Sequence, residues 1–249
     1  MRGDEVSQLQ LRLRQEAARA DKLDRGVPGR FVAGEERALA EREARSMNVE
    51  ASFDGGWEDA ERVQVSFHPQ GDEAVFTGVW VEVRWHARFA HVDHRDLLGS
   101  LMGLGMDRAF FGDLIALEDR AYLYALPEAA VRLPMEWTQA GRSTIEAKVL
   151  DRAPALSRPE GQMLRDTVPS TRLDAVLAAG MKLSRSRAAE IIRQGSVMVD
   201  HRAEERVDRA LEAGQLISVR GFGRIRLAEV GDPTRKDRLP VSLEIFKKT

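Results

Sequence analysis

The sequence lacks several features, and each absence narrows what the chain can be. It contains no cysteine, which excludes disulfide bonds and thiolate metal sites. No apolar run approaches the roughly 18 residues that a membrane-spanning helix needs. Charged residues at positions 2, 4 and 5 precede any apolar run, which is not the pattern of a secretory signal. The 43% hydrophobic and 31% charged content is typical of a folded globular protein, and we expect a cytoplasmic location without membrane contact.

The formal net charge of −2 conceals an uneven distribution. Residues 170–249 hold 16 Lys and Arg against 11 Asp and Glu, whereas residues 1–169 hold 22 against 29. The carboxy-terminal end therefore carries +5 and the remainder −7. A basic end on an acidic body favours contact between that end and a polyanion, although chance segregation of surface charge gives the same counts.

Hydrophobic periodicity predicts an α+β fold in successive parts. Residues 1–46 favour two helices with a break at 26–29, which indicates a helical amino-terminal region. Residues 47–152 alternate like strands and contain two helices, which indicates an α/β plait with helices on one face of an antiparallel sheet. Residues 153–169 hold three prolines and are expected to form a linker to the last part, residues 170–249. The predicted strands of the plait are 49–53, 63–67, 79–85, 121–126 and 145–149. Its predicted helices are 94–105, capped by Asp93, and 127–140, interrupted by Pro134.

The last part begins with two short helices. Ser170 or Thr171 is expected to cap a helix that ends at Gly180, and Ser184 to cap a second helix that ends at Gly195. Apolar residues recur three and four positions apart in these helices, so they share one face. Alternating residues at 197–199, 217–219 and 225–227 predict the strands on which that face packs.

Cations crowd the link between these helices and the first turn of the second, at Lys182, Arg185 and Arg187, with Arg193 near its end. A helix amino terminus already presents unpaired N–H groups and partial positive charge, so cations there are unfavourable for stability alone. Beside a phosphate the same groups act together, which predicts a polyanion such as RNA. We therefore expect these groups to share one face, without carboxylates that neutralise them. Phe222 is the only aromatic residue between 170 and 227, so the partner should be folded RNA rather than an unpaired strand.

The same stretch closely resembles the S-four-type RNA-binding domain, over about a quarter of the chain. The matching residues are Arg172-Leu173-Asp174, the run Leu183-Ser184-Arg185-Ser186-Arg187-Ala188, Ile191-Ile192, Gly195 and Val197-x-Val199. The resemblance implies RNA contacts from Arg172, Lys182, Ser184, Arg185, Arg187, Arg193 and Arg202. The turn before Arg202 departs from the family, since it reads Asp200-His201-Arg202 where Asn-Gly-Lys is common. Arg220 and Arg224 flank a glycine-rich hairpin turn and are expected to add further contacts.

Most of the chain after about residue 30 also resembles the YlmH-type family of bacterial and plastid proteins, which are also called photosystem II S-four-domain proteins. The matching segments are 53–56, 60–62, 94–99, 103–105, 111–115 and 220–224. This resemblance implies that the central plait is RRM-like and that the protein is ribosome-associated. It further implies binding to large ribosomal subunits obstructed by peptidyl-tRNA, in quality control of stalled translation.

From these observations and resemblances we expect a monomeric protein that binds structured RNA, which is either ribosomal RNA or peptidyl-tRNA. We expect it not to be an enzyme, and therefore to have no catalytic residues, metal or cofactor. The alternative is an RNA-modifying enzyme of the pseudouridine synthase or methyltransferase type that uses the S-four-like domain for delivery. Residues 1–169 show neither the aspartate motif nor the glycine-rich loop that such enzymes need. A third interpretation makes the acidic body a protein-docking scaffold. The sequence His94-Arg95-Asp96-Leu97 is similar to a kinase catalytic loop, but a helix start explains it better, and His91, Asp93 and His94 are too few for a metal site.

Overall fold

The computed structural model describes residues 3–86, 92–156, 161–200 and 202–247. The chain forms two units, Met1–Leu156 and Ser157–Thr249, which are described separately. Both units mix helices with antiparallel strands, and the predicted α+β class is confirmed. Among the helices that the structure describes, none combines the length and the apolar character required to span a bilayer.

The first unit opens with a helical layer on a three-stranded sheet. In chain order its elements are α1 (Gly3–Leu23), β1 (Val27–Ala33), α2 (Glu35–Ser46), β2 (Glu50–Asp54) and β3 (Arg62–His68). Both predicted helices are confirmed. The strands predicted at 49–53 and 63–67 also form, but they pair with β1 in this sheet and not with the strands of the plait, to which the prediction assigned them. The sheet order is β1-β3-β2, and Leu13, Leu39 and Phe67 are among the buried residues between helices and sheet.

Strand β1 lies where the sequence indicated only a break between helices. Pro28 is accommodated because β1 is an edge strand, whose outer side needs no N–H donor. The register with β3 shifts between Pro28 and Phe31, which marks a bulge. Gly29 is required by close packing, since a Cβ atom there would lie 2.5 Å from Glu16 Oε2 and 2.8 Å from Val65 Cγ1.

The remainder of the first unit is a plait. Its elements are β4 (Val79–Arg84), α3 (His94–Gly103), a 3-10 turn (Arg108–Phe110), β5 (Phe111–Ala116), β6 (Arg120–Ala125), α4 (Pro127–Ala130), α5 (Leu133–Glu136), β7 (Gln139–Ala140), β8 (Ser143–Thr144) and β9 (Glu146–Val149). The four-stranded sheet has the order β5-β6-β4-β9, and β7 pairs with β8. The predicted interruption at Pro134 is confirmed, since the chain forms two four-residue helices with Pro134 in the first turn of the second. The predicted extension of the helix to residue 140 is wrong, because α5 ends at Glu136 and Gln139–Ala140 forms β7.

The capping of α3 is confirmed in detail. The Asp93 carboxylate accepts from the Asp96 backbone N–H at 2.8 Å, and the Asp96 carboxylate accepts from the Asp93 N–H at 3.3 Å. This reciprocal arrangement is a capping box. Asp96, the aspartate of the sequence that is similar to a kinase catalytic loop, therefore helps to begin a helix, as expected from the sequence.

Two of the motif segments, 60–62 and 111–113, join the first sheet to the plait. Asp113 accepts from the Trp57 indole N–H at 3.2 Å and from the backbone N–H groups of Glu61 at 2.8 Å and Arg62 at 3.0 Å. The Arg62 side chain donates to the Phe111 carbonyl at 3.1 Å. Asp54 similarly accepts from the Gly56 N–H and the Tyr124 hydroxyl, both at 3.2 Å. These motif residues therefore have structural roles.

The second unit is a six-stranded sheet with two helices. Its elements are β10 (Gln162–Val168), α6 (Leu173–Met181), α7 (Arg185–Arg193), β11 (Val197–Val199), β12 (Arg202–Ala203), β13 (Leu216–Val219), β14 (Gly223–Val230) and β15 (Leu239–Lys247), and the strand order is β10-β15-β14-β13-β11-β12. Both helices and the three strands predicted at 197–227 are confirmed. Strand β10 lies within the segment predicted as a linker, because it pairs along its length with β15, which is distant in sequence.

Two details of α6 differ from the prediction. Neither Ser170 nor Thr171 caps the helix, whose N-cap is Arg172 without a side-chain cap. The backbone N–H groups of Leu173 and Asp174 instead donate to the carbonyls of Arg209 and Val207, at 2.8 and 3.2 Å. Nor does Gly180 end the helix. It permits close packing, since a Cβ atom there would lie 2.5 Å from Ile225 Cδ1.

Candidate nucleic-acid interface

The link between α6 and α7 places cations at the start of a helix. Lys182 follows α6 in the left-handed conformation, with φ of 54°, and its side chain is exposed. Ser184 caps α7 as predicted, because its hydroxyl accepts from the Arg187 backbone N–H at 3.2 Å. Arg185 and Arg187 then occupy the first turn of α7. The chain thus brings three cations together within six residues.

Asp174 holds two of the predicted RNA contacts in place. Its side chain is only 7% exposed, and it accepts from Arg172 Nε at 3.1 Å and from an Arg185 Nη at 2.5 Å. Burial acts to raise the pKa of Asp174, but the hydrogen bonds and charges of the two arginines outweigh it and hold that pKa below its usual value. The carboxylate is therefore ionised and links α6 to the first turn of α7.

The expectation that the cations lack carboxylate partners is wrong for three arginines. Arg172 and Arg185 pair with Asp174, and Arg187 pairs with Glu190 at 2.6 Å. One carboxylate between two guanidinium groups leaves a net positive charge, and those side chains remain 42% and 51% exposed. Both side chains of the Arg187–Glu190 pair are about half exposed, so the pair contributes little to stability and leaves the Arg187 guanidinium accessible to another anion.

The other predicted contacts fall into two groups. Lys182, Arg193 and Arg220 are exposed and form no ion pair with any residue that the structure describes. Arg202 lies in the edge strand β12, and Arg224 lies in β14 with its guanidinium 5.7 Å from the centre of the Phe246 ring. The turn before Arg202 includes position 201, which lies outside the described residues. The structure thus places six predicted residues at α6, α7 or the link between them, Arg202 and Arg224 in strands of the sheet, and Arg220 in the turn between β13 and β14.

The plait does not offer an open aromatic sheet face. RRM-type domains stack bases on aromatic residues of their central strands. Here Trp80 of β4 and Tyr124 of β6 are only 5% and 6% exposed, because Phe31 and other residues of the first layer pack on them. Next to them, Glu82 pairs with Arg84 and Arg120 at 2.8 and 3.4 Å. The hydrogen bond from Arg84 lowers the pKa of Glu82, so this part of the face is an ion-pair network.

Metal binding finds no support in the described part of the chain, which contains no cluster of three or more potential ligands. His91, one of the candidates weighed from the sequence, lies outside the described residues.

The sequence contains one further signal for the site, a single acidic residue within an otherwise uncharged helix, and the motifs did not predict its partners. Asp174 is the one charged residue of α6, between Leu173 and a run of apolar residues, and such a residue facing the core requires partners. Arg172, two residues earlier in the chain, could have been assigned as one of those partners, whereas the contact with Arg185 depends on how the two helices pack.

Comparisons with known proteins bear on both units. Residues 71–153 match a family model described as “Putative RNA-binding domain in YlmH”, and residues 171–217 match the model of the S4 domain. The chain is 31% identical over 218 residues to “Ribosome-associated protein quality control protein P2” of Bacillus subtilis (strain 168), an alignment that covers 86% of this chain and 85% of the relative. A solved structure, “Cell division protein ylmH from Streptococcus pneumoniae”, is 18% identical with a TM-score of 0.48, and covers 60% of this chain and 93% of that chain.

These matches agree with the family resemblance that the sequence motifs indicated. They agree in the order of the two domains and in the share of the chain that is similar to the relative. The chain belongs to the YlmH-type family of RNA-binding proteins, with a carboxy-terminal S4 domain.

Proposed function

We propose that this protein binds structured RNA without catalysing a reaction, through the surface formed by Arg172, Lys182, Ser184, Arg185, Arg187 and Arg193. This surface is called the helical cation surface below. The observation that carries the proposal is the Arg172–Asp174–Arg185 arrangement, in which a buried carboxylate fixes two exposed guanidinium groups. Fixed guanidinium groups suit phosphate oxygens, which they bind through paired N–H donors.

The charge balance of the helical cation surface supports a polyanion. Asp174 compensates one of its two arginines, and Arg187 is compensated by an exposed glutamate that a phosphate can replace. Lys182 and Arg193 add two charges that no described residue compensates. Phosphate contacts of this kind fix position on RNA rather than read its sequence.

The partner that we propose is ribosomal RNA of the large subunit, or peptidyl-tRNA bound to that subunit. We propose that the protein binds it in the cytoplasm, during quality control of stalled translation. The name of the Bacillus subtilis relative, a ribosome-associated quality control protein, supports this assignment. We propose further that the protein acts as a monomer and that Arg202, Arg220 and Arg224 make additional contacts from the sheet.

Charge reversal tests the helical cation surface. The double variant Arg185→Glu with Arg187→Glu should bind ribosomal RNA about 100-fold or more weakly, because it removes two charge-assisted contacts. Binding by the unaltered protein should weaken with salt, with a log–log slope of about −0.7 to −0.9 for each phosphate neutralised, and the variant should show a shallower slope. Filter binding or fluorescence anisotropy over a range of salt concentrations measures both quantities.

The matched control is Arg14→Glu with Arg19→Glu, which changes the net charge equally at exposed positions of α1, outside the residues that match the two domain models. This control should bind like the unaltered protein. Since the carboxylate introduced by Arg185→Glu would face Asp174, the variant Arg187→Glu with Arg193→Glu repeats the test without disturbing that aspartate. If both test variants are folded, as circular dichroism can verify, and both bind RNA with the affinity of the unaltered protein, the assignment is refuted.

A further inference from the structure

An apolar cleft opens in the second unit, apart from the Asp174 arrangement. Its volume is about 480 Å³. The cleft lies where the end of α6 and the β13–β14 turn meet the outer strands β10 and β15. Its lining residues are Gln162, Leu164, Gly180, Met181, Lys182, Gly221, Phe222 and Ile245.

The cleft exists because the sheet extends beyond the helices. The strands β10 and β15 add to the sheet next to β14, and Leu164 and Ile245 on their helix-facing side are only half buried. Helix α6 ends at Met181, and Lys182 turns the chain away in its left-handed conformation. The β13–β14 turn then contributes Phe222, whose side chain is 43% exposed, although it is a large aromatic residue.

The chemistry of the lining favours one kind of occupant. Among the lining residues Lys182 is the one charged side chain, and no carboxylate is present. Arg220, beside the turn, adds a second exposed cation, while its backbone N–H donates to the Ser196 carbonyl. The aromatic ring and the aliphatic side chains of the cleft can pack against a flat ring. The cations beside them can bind a phosphate that is attached to that ring. The cleft volume lies within the usual range for small-molecule sites, about 300–1,000 Å³.

We propose that this cleft binds a single unpaired nucleobase of the RNA, stacked on Phe222, with its phosphate near Lys182. The Gln162 amide provides a donor and an acceptor for the edge of the base. This inference rests on the proposed RNA binding and refines it, since the helical cation surface would hold paired RNA while the cleft selects a site with an extruded nucleotide. It also revises the expectation that stacking is minor, because one well-placed ring is sufficient for one base.

Two RNA hairpins test the inference: one with a single bulged nucleotide, replaced by 2-aminopurine, and one with the same stem fully paired. The unaltered protein should bind the bulged hairpin about tenfold more tightly and should change the 2-aminopurine fluorescence. Phe222→Ala should lose this preference while its affinity for the paired hairpin stays unchanged, and Phe222→Tyr should retain the preference. Met163→Ala removes a similarly exposed apolar side chain and is the control.

The outcomes separate this inference from the proposed function. If Phe222→Ala keeps the full preference, or weakens both hairpins equally, the cleft does not bind a base. If, with that result for Phe222→Ala, the variant Arg185→Glu with Arg187→Glu abolishes binding of both hairpins, the proposed RNA binding is supported and only the assignment of the cleft fails. If neither variant affects either hairpin, both proposals fail. Loss of a protein partner by Phe222→Ala in nuclease-treated lysate, with both RNA affinities unchanged, would also overturn the inference in favour of a protein ligand.

Discussion

We predict that Glu16 makes the stability of the first unit depend on pH. The residue lies on α1 against Gly29, and its Oε2 atom is buried without a hydrogen-bond partner among the described residues. Burial raises the pKa of Glu16 from 4.5 to about 7, and the nearby charges of Arg12 and Arg30 only partly oppose this shift. Those two arginines instead form ion pairs with Asp107.

The sign of the effect follows from proton binding. Because the folded chain holds a proton on Glu16 that the unfolded chain releases above pH 4.5, stability is complete below that pH and falls as the pH rises to about 7. Each pKa unit corresponds to about 1.4 kcal/mol, so the loss amounts to at most about 3.5 kcal/mol. The variant Glu16→Gln mimics the protonated side chain and should abolish this loss.

Denaturant unfolding at several pH values measures the effect. Trp57, Trp80, Trp85 and Trp137 all lie in the first unit, so tryptophan fluorescence reports its unfolding selectively. The free energy of unfolding of Glu16→Gln should match that of the unaltered protein near pH 4.5 and exceed it by up to about 3.5 kcal/mol at pH 8. Glu118→Gln, at an exposed loop position, should follow the unaltered protein throughout. Parallel stability curves for Glu16→Gln and the unaltered protein between pH 5 and 8 would show that this carboxyl is solvated and that the reasoning is wrong.

Two further substitutions test the packing that the structure assigns to motif residues. Asp113→Ala should destabilise the first unit by about 2 kcal/mol or more, because three N–H donors lose their acceptor, and tryptophan fluorescence during urea unfolding measures the loss; an unchanged midpoint would contradict the assigned role. Gly180→Ala should destabilise the second unit by about 1–2 kcal/mol despite the better helix propensity of alanine, because its Cβ meets Ile225 Cδ1. Ile225→Val removes that atom, so the double variant should cost less than the sum of the single variants in hydrogen-exchange measurements of α6, and strict additivity would argue against the contact.

Local patterns predicted most of the helices and strands, whereas pairing between distant segments could not be predicted. Strand β1 contains Pro28 and Gly29, which normally interrupt a strand, and only its edge position and bulge make them acceptable. Strand β10 falls in the predicted linker because its partner β15 begins about 70 residues later, beyond the reach of any local pattern. Pairing of β1 with β3 likewise crosses the boundary predicted after residue 46. The predicted domain boundaries themselves remain predictions.

For the candidate site, the sequence predicted which elements carry the cations but not which carboxylates pair with them. The spacing of glycines and arginines located α6, α7 and the cations between them. It did not show that Asp174 lies beneath Arg172 and Arg185, because that contact depends on how two helices cross. The predicted cap of α6 was wrong for a similar reason. The first N–H groups of the helix donate to carbonyls of a loop more than 30 residues away, and local rules for helix starts do not describe such contacts.

The contact of Asp174 with two arginines also has an entropic consequence. A freely rotating arginine side chain loses up to about 2 kcal/mol of rotamer freedom when a ligand immobilises it. For Arg172 and Arg185 most of that loss already occurs during folding, since the buried carboxylate orients both. Under the proposed function, a phosphate backbone would meet preorganised donors at a set separation, and an RNA whose phosphates match that separation would bind more tightly than one of equal charge that does not.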